Sequence, residues 1–470
     1  MTMCFLGLLM NTYVTISEGL SGLLGSSKVV TDKEILATYS RDETSDLSSM
    51  PDILVRAETA EDVSRTLRFC YKHSIPVVPR GAGTGVTGGA VPVMGGVVLS
   101  LEKMNRIIEI DRENMVAVVE PGAITRAIQD AAKAEGLMYP PDPASLDSCS
   151  IGGNVAENAG GPSAVKYGTT KDYILGLEFV LSNGSMITTG GKFVKNATGY
   201  NLPGILIGSE GTLAVITKIL LRLIPAPRFT IDMLIPFPSI KEACDTVYTI
   251  LINRIIPSTV EFMEQDAIDL ASKFLNKDMP FPDARAHLLI QIDGSSEDAV
   301  STDMEKIGGL VNVDTDKIII AQSPVQQERL WKARRCIREA IHAASPVFLA
   351  EDCVVPRSMI PEFLVELKKY FESKNLRSIM FGHAGDGNVH IDVLKGGMDY
   401  DLWKRNLPEL KREIYKRAIA LGGTITGEHG IGYIRKDYLS MALSREEIKL
   451  LKRIKKAFDP KGTLNPGKII

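Results

Sequence analysis

From position 52 the chain alternates short apolar runs with amphipathic stretches, and the spacing predicts a βαβ unit. Asp52 to Arg56 reads as a strand. Thr59 then reads as an N-cap, with Glu61 and Asp62 in the first turn, where the positive end of the helix dipole favours acids. Val63, Leu67 and Cys70 recur at helical spacing, and Ile75 to Val78 returns as a second strand. Val97 to Leu101 and Met115 to Val119 read as further strands, and Ile124 to Glu135 as a helix closed by Gly136. Ile174 to Leu181 and Ser185 to Thr189 flank Asn183-Gly184, which predicts a hairpin with a two-residue loop. The stretch PPDPASLDSCSIGGNVAENAGG, residues 140 to 161, is too rich in Gly, Pro and Asn to be regular.

Past Pro225-Ala-Pro227 the pattern changes to longer helices, over 240–254, 324–344 and 357–373. Strands near 229–235, 286–293 and 316–321 alternate with them, which predicts an antiparallel sheet with helices on one face. The fold class is therefore α+β. The expected division is an N-terminal helical segment over residues 1–47, one domain over 48–227 and a second over 228–420. A C-terminal segment, 421–470, would return to the first domain.

Composition narrows the function. Apolar residues at 44% and charged residues at 24% fit an ordinary globular chain. A net charge of −3 offers no basic field for nucleic acid, so none is expected as a partner. The six cysteines fall at no paired spacing, which points to reduced thiols and a cytoplasmic setting. The opening MTMCFLGLLM is apolar but short and has no basic flank, so neither a signal peptide nor a transmembrane segment is expected. Any membrane association would be peripheral.

Residues 79–89, PRGAGTGVTGG, contain GxGxxG at Gly83, Gly85 and Gly88. A dinucleotide fingerprint must open a helix, but Pro92, Gly95 and Gly96 interrupt the next stretch, which excludes a nicotinamide-binding Rossmann reading. The loop keeps its chemistry. Glycines let the backbone approach a ligand, and successive N–H groups form an anion nest suited to a pyrophosphate. The bland alternative is a surface turn, but Gly-rich loops of the same character occur again at 140–161 and 208–212.

Three of the six histidines fall in two Gly-rich motifs, FGHAGDGNVH (381–390) and TGEHGIG (426–432). His383 and His390 are seven apart, which suits a loop entering a strand, and Glu428 offers an oxygen from another loop. Two imidazoles and a carboxylate suit a catalytic Zn²⁺ with open positions, while Mn²⁺, Fe²⁺ or Co²⁺ also accept such donors. The bland alternative is two histidines packed under a glycine turn. His73, His287 and His342 stand alone and read as structural.

PRGAGTG, PPDPAS, IGGNVAENAGG, KYGTT, IGSEGTL and NPGK together resemble the FAD-linked oxidase family, whose FAD domain is of the vanillyl-alcohol-oxidase (PCMH) type. The nearer branch holds the glycolate oxidase FAD subunit, FAD-dependent D-lactate dehydrogenase and D-2-hydroxyglutarate dehydrogenase. The resemblance runs from about residue 35 to the C-terminus. It implies a two-subdomain FAD domain and an α+β cap domain for substrate.

On that resemblance Arg80, Gly81, Ala82, Gly83, Thr84 and Gly85 wrap the FAD pyrophosphate. Pro141 to Ser145, including Asp142, and Gly152 to Asn158, including Gly153 and Asn154, line the ribityl chain and isoalloxazine. Glu210 and Gly211 lie near the adenosine half, and Asn465 returns to the flavin. Further contacts fall on Pro79, Gly88, Gly89, Ser148, Gly161 and Ile216. Members that bind FAD covalently carry His where this chain has Thr84, so non-covalent FAD is expected.

The resemblance also places a divalent metal on His383, His390 and Glu428, a substrate carboxylate on Arg334 and a further substrate contact on Asn388. His429, next to Glu428, is the candidate general base. The implied reaction is metal-assisted oxidation of a small D-2-hydroxy acid to the 2-oxo acid, with hydride transfer to flavin N5. Arg338 and Ala350 depart from the hydroxyglutarate enzymes, which favours D-lactate or glycolate. Electrons would pass to an electron-transfer flavoprotein, an iron–sulfur subunit or a quinone. The alternatives are D-2-hydroxyglutarate oxidation, a non-redox FAD transferase of the alkylglycerone-phosphate synthase type, and a flavin subunit that only relays electrons.

Overall fold

The computed structural model describes residues 16–470, so the apolar opening lies outside the described residues. A helix over 16–24 packs Leu20 and Leu24 against the first sheet. That sheet holds β1 (Val29–Val30), β2 (Ile53–Arg56), β3 (Val77–Arg80) and β4 (Val97–Ser100) in the order β1-β2-β4-β3. The pairs β2–β4 and β3–β4 are parallel, as a βαβ crossover requires. The crossover helix Ala60–His73 opens on a capping box between Thr59 and Asp62 and buries Val63, Leu67 and Cys70. β3 begins at Val77 rather than Ile75. Pro76 has no N–H for a ladder, and Val77 pairs with the returning C-terminus: its N–H donates to Thr463 O at 2.8 Å and its carbonyl accepts from Asn465 N at 2.7 Å.

The next strands are β5 (Ile107–Asp111), β6 (Val116–Val119), β7 (Leu137–Met138), β8 (Ile174–Val180), β9 (Met186–Gly190), β10 (Val215–Arg222) and β11 (Ile224–Pro225). Five of them make an antiparallel sheet, β5-β6-β10-β8-β9, while β7 pairs with β11. The β8–β9 hairpin turns through Leu181–Gly184, with Gly184 N donating to Leu181 O and Gly184 at φ +84°. One left-handed glycine after a type I turn replaces the expected two-residue loop. Residues 140–161 also hold more structure than expected. Ile151–Glu157 is helical because Ile151, Asn154 and Val155 are buried on one side, and the helix ends on Asn158 in the left-handed region.

The second half is built on one seven-stranded antiparallel sheet: β12 (Phe229–Phe237), β13 (Thr259–Glu264), β14 (Ala286–Gly294), β15 (Ile319–Ala321), β16 (Phe348–Val354), β17 (Arg377–His383) and β18 (Asn388–Leu394). Their order is β15-β12-β14-β13-β17-β18-β16. Helices cover both faces, not one. Ile235, Phe262, Leu288, Met380 and Ile391 pack with residues of Ile240–Ile252, Ile360–Ser373 and Tyr400–Ala420. The alternate residues Leu234, Met263, Leu289 and Phe381 pack with Gln265–Leu275 and with the 324–344 stretch. That stretch is two helices, Pro324–Arg335 and Ile337–Ala344, broken at Cys336. The 357–373 stretch opens as a 3-10 turn before the helix Ile360–Ser373.

The cap is tied to the first half. Asp293 on β14 accepts from Tyr167 Oη at 2.7 Å and pairs with Lys166. The C-terminal segment reaches further back, with Lys468 buried against Val91 O at 2.6 Å. No helix among the described residues is long and apolar enough to cross a membrane.

Candidate active site

Strand alternation builds the site. Val260 and Phe262, Met380, and Val389, Ile391 and Val393 enter one apolar core, so Glu261, His383, His390 and Asp392 project from the opposite face. Asp352, next to the core residue Cys353, joins them from β16. At this end of the sheet that face carries charge instead of helix-packing residues.

There His383 Nε2 lies 3.4 Å from His390 Nε2, and Glu428 Oε1 lies 3.5 and 3.6 Å from the two. Ligands at ~2.0–2.1 Å from a tetrahedral zinc sit roughly 3.3 Å apart, so these three donor atoms have the spacing of three corners of such a site. His383 Nδ1 lies 2.5 Å from Glu261 Oε1, which leaves Nε2 to face the cluster, as carboxylate-supported metal histidines do. His390 Nδ1 is buried without a hydrogen-bond partner among the described residues. Burial disfavours charge on His383, but Glu261 and Glu428 outweigh it and hold that imidazole well above its ordinary value. Burial and the neighbouring His383 and His429 push His390 well below. Three donor atoms at this spacing, with a buried carboxylate behind His383, fit a divalent metal.

His429 stacks on His390 with ring centres 5.6 Å apart and points Nδ1 at Asp352 Oδ1, 3.1 Å away. Asp352 Oδ2 accepts from the backbone of Gly427 at 2.8 Å, Glu428 at 2.9 Å and His429 at 3.3 Å. One carboxylate therefore shapes the loop that delivers Glu428 and His429. Burial opposes charge on Asp352, yet His429, Arg435 and these bonds hold it well below the usual carboxylate range. Arg435 is buried beneath, 2.8 Å from Glu351 Oε2 and 3.1 Å from Asp352 Oδ1.

Arg334 donates from Nε to Glu261 Oε2 at 2.6 Å and lies over the Phe381 ring at 4.8 Å. Asn388 is buried, donates to Cys353 O at 3.2 Å and leaves its Oδ1 unpartnered. Arg338 pairs with Asp392. Arg335 is exposed and pairs with Glu328, away from the cluster.

The glycine-rich loop belongs to the first half and meets the segment after His429, where Tyr433 N donates to Thr87 O at 2.8 Å. Arg80 is buried beneath it, and a Cβ on Gly83, at φ +76°, would collide with its guanidinium. A Cβ on Gly81 would meet Ser150 Oγ. Ala82 N reaches that hydroxyl at 3.3 Å, and Gly88 N donates to Thr44 Oγ1 at 2.6 Å. Between them the amides of Gly83, Thr84, Gly85, Val86 and Thr87 donate to no group among the described residues. Five consecutive free N–H groups fit a pyrophosphate. Pro79 lies at the end of β3 beneath this loop.

Other expected cofactor residues line the same cleft or support it. Gly161, at φ +136°, packs on Asp142 O, and Asp142 accepts from Ser163 Oγ at 2.7 Å. Burial pushes the Asp142 carboxyl up to about 7. Gly152 packs on Pro121, while Gly153 lies on the same helix near Ser150 Oγ. Ser145 and Ser148 form the preceding turn. A cleft of about 470 Å³ is lined by Glu157, Asn158, Glu210, Thr426 and Glu428, so it runs along the loop that carries Glu428. Several side chains are engaged within the protein. Asn154 donates to Thr125 Oγ1 at 2.7 Å, and Ile216 is buried on β10. Glu210 accepts from Ile431 N at 2.8 Å and Gly432 N at 2.6 Å, just past His429. Asn465 donates to Gly89 O at 2.9 Å and Glu210 O at 2.8 Å, and Gly211 abuts Pro79.

Sequence reasoning missed Glu261, Asp352, Asp392 and Arg435. The signal it passed over was an acid interrupting an apolar strand, as in TVEFME, FLAEDCV and NVHIDVL.

Two family models match the chain: an FAD binding domain over residues 51–190, and the C-terminal domain of FAD linked oxidases over residues 226–469. The glycolate oxidase subunit GlcD of Bacillus subtilis is 41% identical over 92% of this chain and 91% of its own length. The D-lactate dehydrogenase of Anaerostipes hadrus is 36% identical over 95% of each chain. Among solved structures, p-cresol methylhydroxylase with substrate bound superposes with a TM-score of 0.81 at 19% identity, covering 97% of this chain and 96% of its own. That likeness concerns the fold.

Proposed function

The chain belongs to the family of FAD linked oxidases, and from that premise we propose that it is an FAD-dependent dehydrogenase of a small D-2-hydroxy acid, D-lactate or glycolate. Its FAD is held non-covalently, since Thr84 stands in the loop where a histidyl link would need His. His383, His390 and Glu428 hold a divalent cation, zinc by donor set, with Mn²⁺ or Fe²⁺ also accommodated. When bound, FAD accepts the hydride equivalent from C2, and the cation lowers the pKa of the substrate hydroxyl.

The chain's own groups do the rest. Arg334, aimed by Glu261, meets the substrate carboxylate, and Asn388 offers its free Oδ1 nearby. His429 takes the hydroxyl proton as general base, oriented by Asp352 through Nδ1. The observation that carries this reading is the convergence of three ligand atoms beside a carboxylate-oriented histidine. Electrons leave to an electron-transfer flavoprotein, an iron–sulfur subunit or a quinone.

A non-redox transferase would need neither the metal donors nor a base beside them. A strong chelator should abolish turnover of a 2-hydroxy acid, with Zn²⁺ or Mn²⁺ restoring it. Full activity in protein shown to be metal-free would end the metal-assisted reading.

A further inference from the structure

Both arginines beside the cluster are matched by a buried carboxylate. Arg334 pairs with Glu261 at 2.6 Å, and Arg338 NH1 with Asp392 Oδ1, also at 2.6 Å. Both guanidiniums lie over one ring: Phe381 is 4.8 Å from Arg334 Cζ and 5.8 Å from Arg338 Cζ, and its centre is 5.2 Å from that of His390. The two cations therefore share one aromatic ring, itself beside His390. Their surroundings differ. The Arg334 side chain is 12% exposed, whereas that of Arg338 is 39% exposed and lies at the open end. Asp392 is wholly buried on β18, two residues from His390 on the same face, and its Oδ2 has no hydrogen-bond partner among the described residues. That oxygen is an unopposed acceptor beyond the arginine.

We infer that Asp392 is a specificity-determining residue: by neutralising Arg338 it restricts the site to short 2-hydroxy acids with one carboxylate. This rests on the dehydrogenase reading above. A substrate has one carboxylate for Arg334. A second, on the far end of a longer acid, meets a guanidinium whose charge is already offset by a buried carboxylate, with that carboxylate's second oxygen close by. Buried charges admit a further anion only when a free donor compensates its desolvation. Removing the competing anion and keeping the shape would turn Arg338 into a free clamp for that second carboxylate.

The test uses holoenzyme with FAD and metal contents measured. In the wild type, kcat/KM for D-2-hydroxybutanoate should exceed that for D-malate, its four-carbon dicarboxylate counterpart, by about tenfold or more. In Asp392→Asn the ratio of D-malate to D-lactate should rise by about tenfold or more, and the double variant Asp392→Asn/Arg338→Leu should lose that gain. A wild type that takes D-malate as readily as D-2-hydroxybutanoate overturns the inference, even if the variant fails to fold. So does an Asp392→Asn enzyme that oxidises D-lactate with an unchanged ratio. Flavin that no 2-hydroxy acid reduces, in protein holding FAD and metal, removes the dehydrogenase reading itself.

Discussion

Asp352 performs two tasks with two oxygens. One aligns His429, and the other collects three amides of the loop that carries His429 and Glu428. The proposed base and the proposed metal ligand are thus placed by one group. His429→Gln should retain FAD and metal but slow flavin reduction by about 10²–10⁴ in anaerobic stopped-flow; a near-normal rate would remove His429 as the base. Glu261 works behind His383, and Glu261→Gln should weaken metal binding by about 10–100-fold in competition with a metallochromic chelator. Unchanged affinity would mean that Glu261 serves Arg334 alone. At this scale the sequence was half legible. His383, His390, Glu428 and His429 announced themselves because histidines are scarce and sat among glycines. Glu261 and Asp352 did not, because their partners lie far off in the chain and one acid in an apolar strand has no local signature.

Elements deliver these residues by alternation. Within β13, β17 and β18 one set of alternate positions enters one helical layer, while on the other face Glu261, His383, His390 and Asp392 interrupt the apolar residues that meet the second layer. Sequence periodicity located β12, β14 and β15, on one side of the sheet, but placed helices on one face only. The near-continuous apolar run of β14 has no blank face, because both faces are covered there. The helix bearing Arg334 is pinned by Trp331 Nε1, which donates to Asp232 Oδ2 at 3.0 Å on β12. Asp232 has no cationic partner, and burial pushes its carboxyl from the usual 3.8 up to about 6. The folded state therefore holds this proton more tightly than the unfolded chain. The associated stability is present below about pH 4 and is lost as the pH rises through 6, about 2–3 kcal/mol in all. Asp232→Asn should flatten that part of the melting-temperature profile between pH 4 and 7. An identical slope in the variant would show that Asp232 does not titrate there.

Across the whole molecule the active site is a joint product of distant segments. The glycine-rich loop comes from residues 81–87, the His383–His390–Glu428 cluster from the cap and the 426–432 loop, and the closing contacts from Asn465 and Lys468. Glu210 ties the cofactor side to the segment after His429, and Asp293 ties the cap to Lys166 and Tyr167. The family was legible because its Gly-rich motifs are backbone requirements spread along the chain. The joint itself was not, since it depends on contacts between residues hundreds of positions apart. The central claim is that this assembly moves two electrons from a D-2-hydroxy acid to FAD. Anaerobic titration of the flavin's visible band with D-lactate, L-lactate, glycolate and D-2-hydroxyglutarate tests it most directly. The expected result is rapid bleaching by D-lactate or glycolate, with L-lactate and D-2-hydroxyglutarate far slower. A protein loaded with FAD and metal whose flavin none of the four reduces would contradict it.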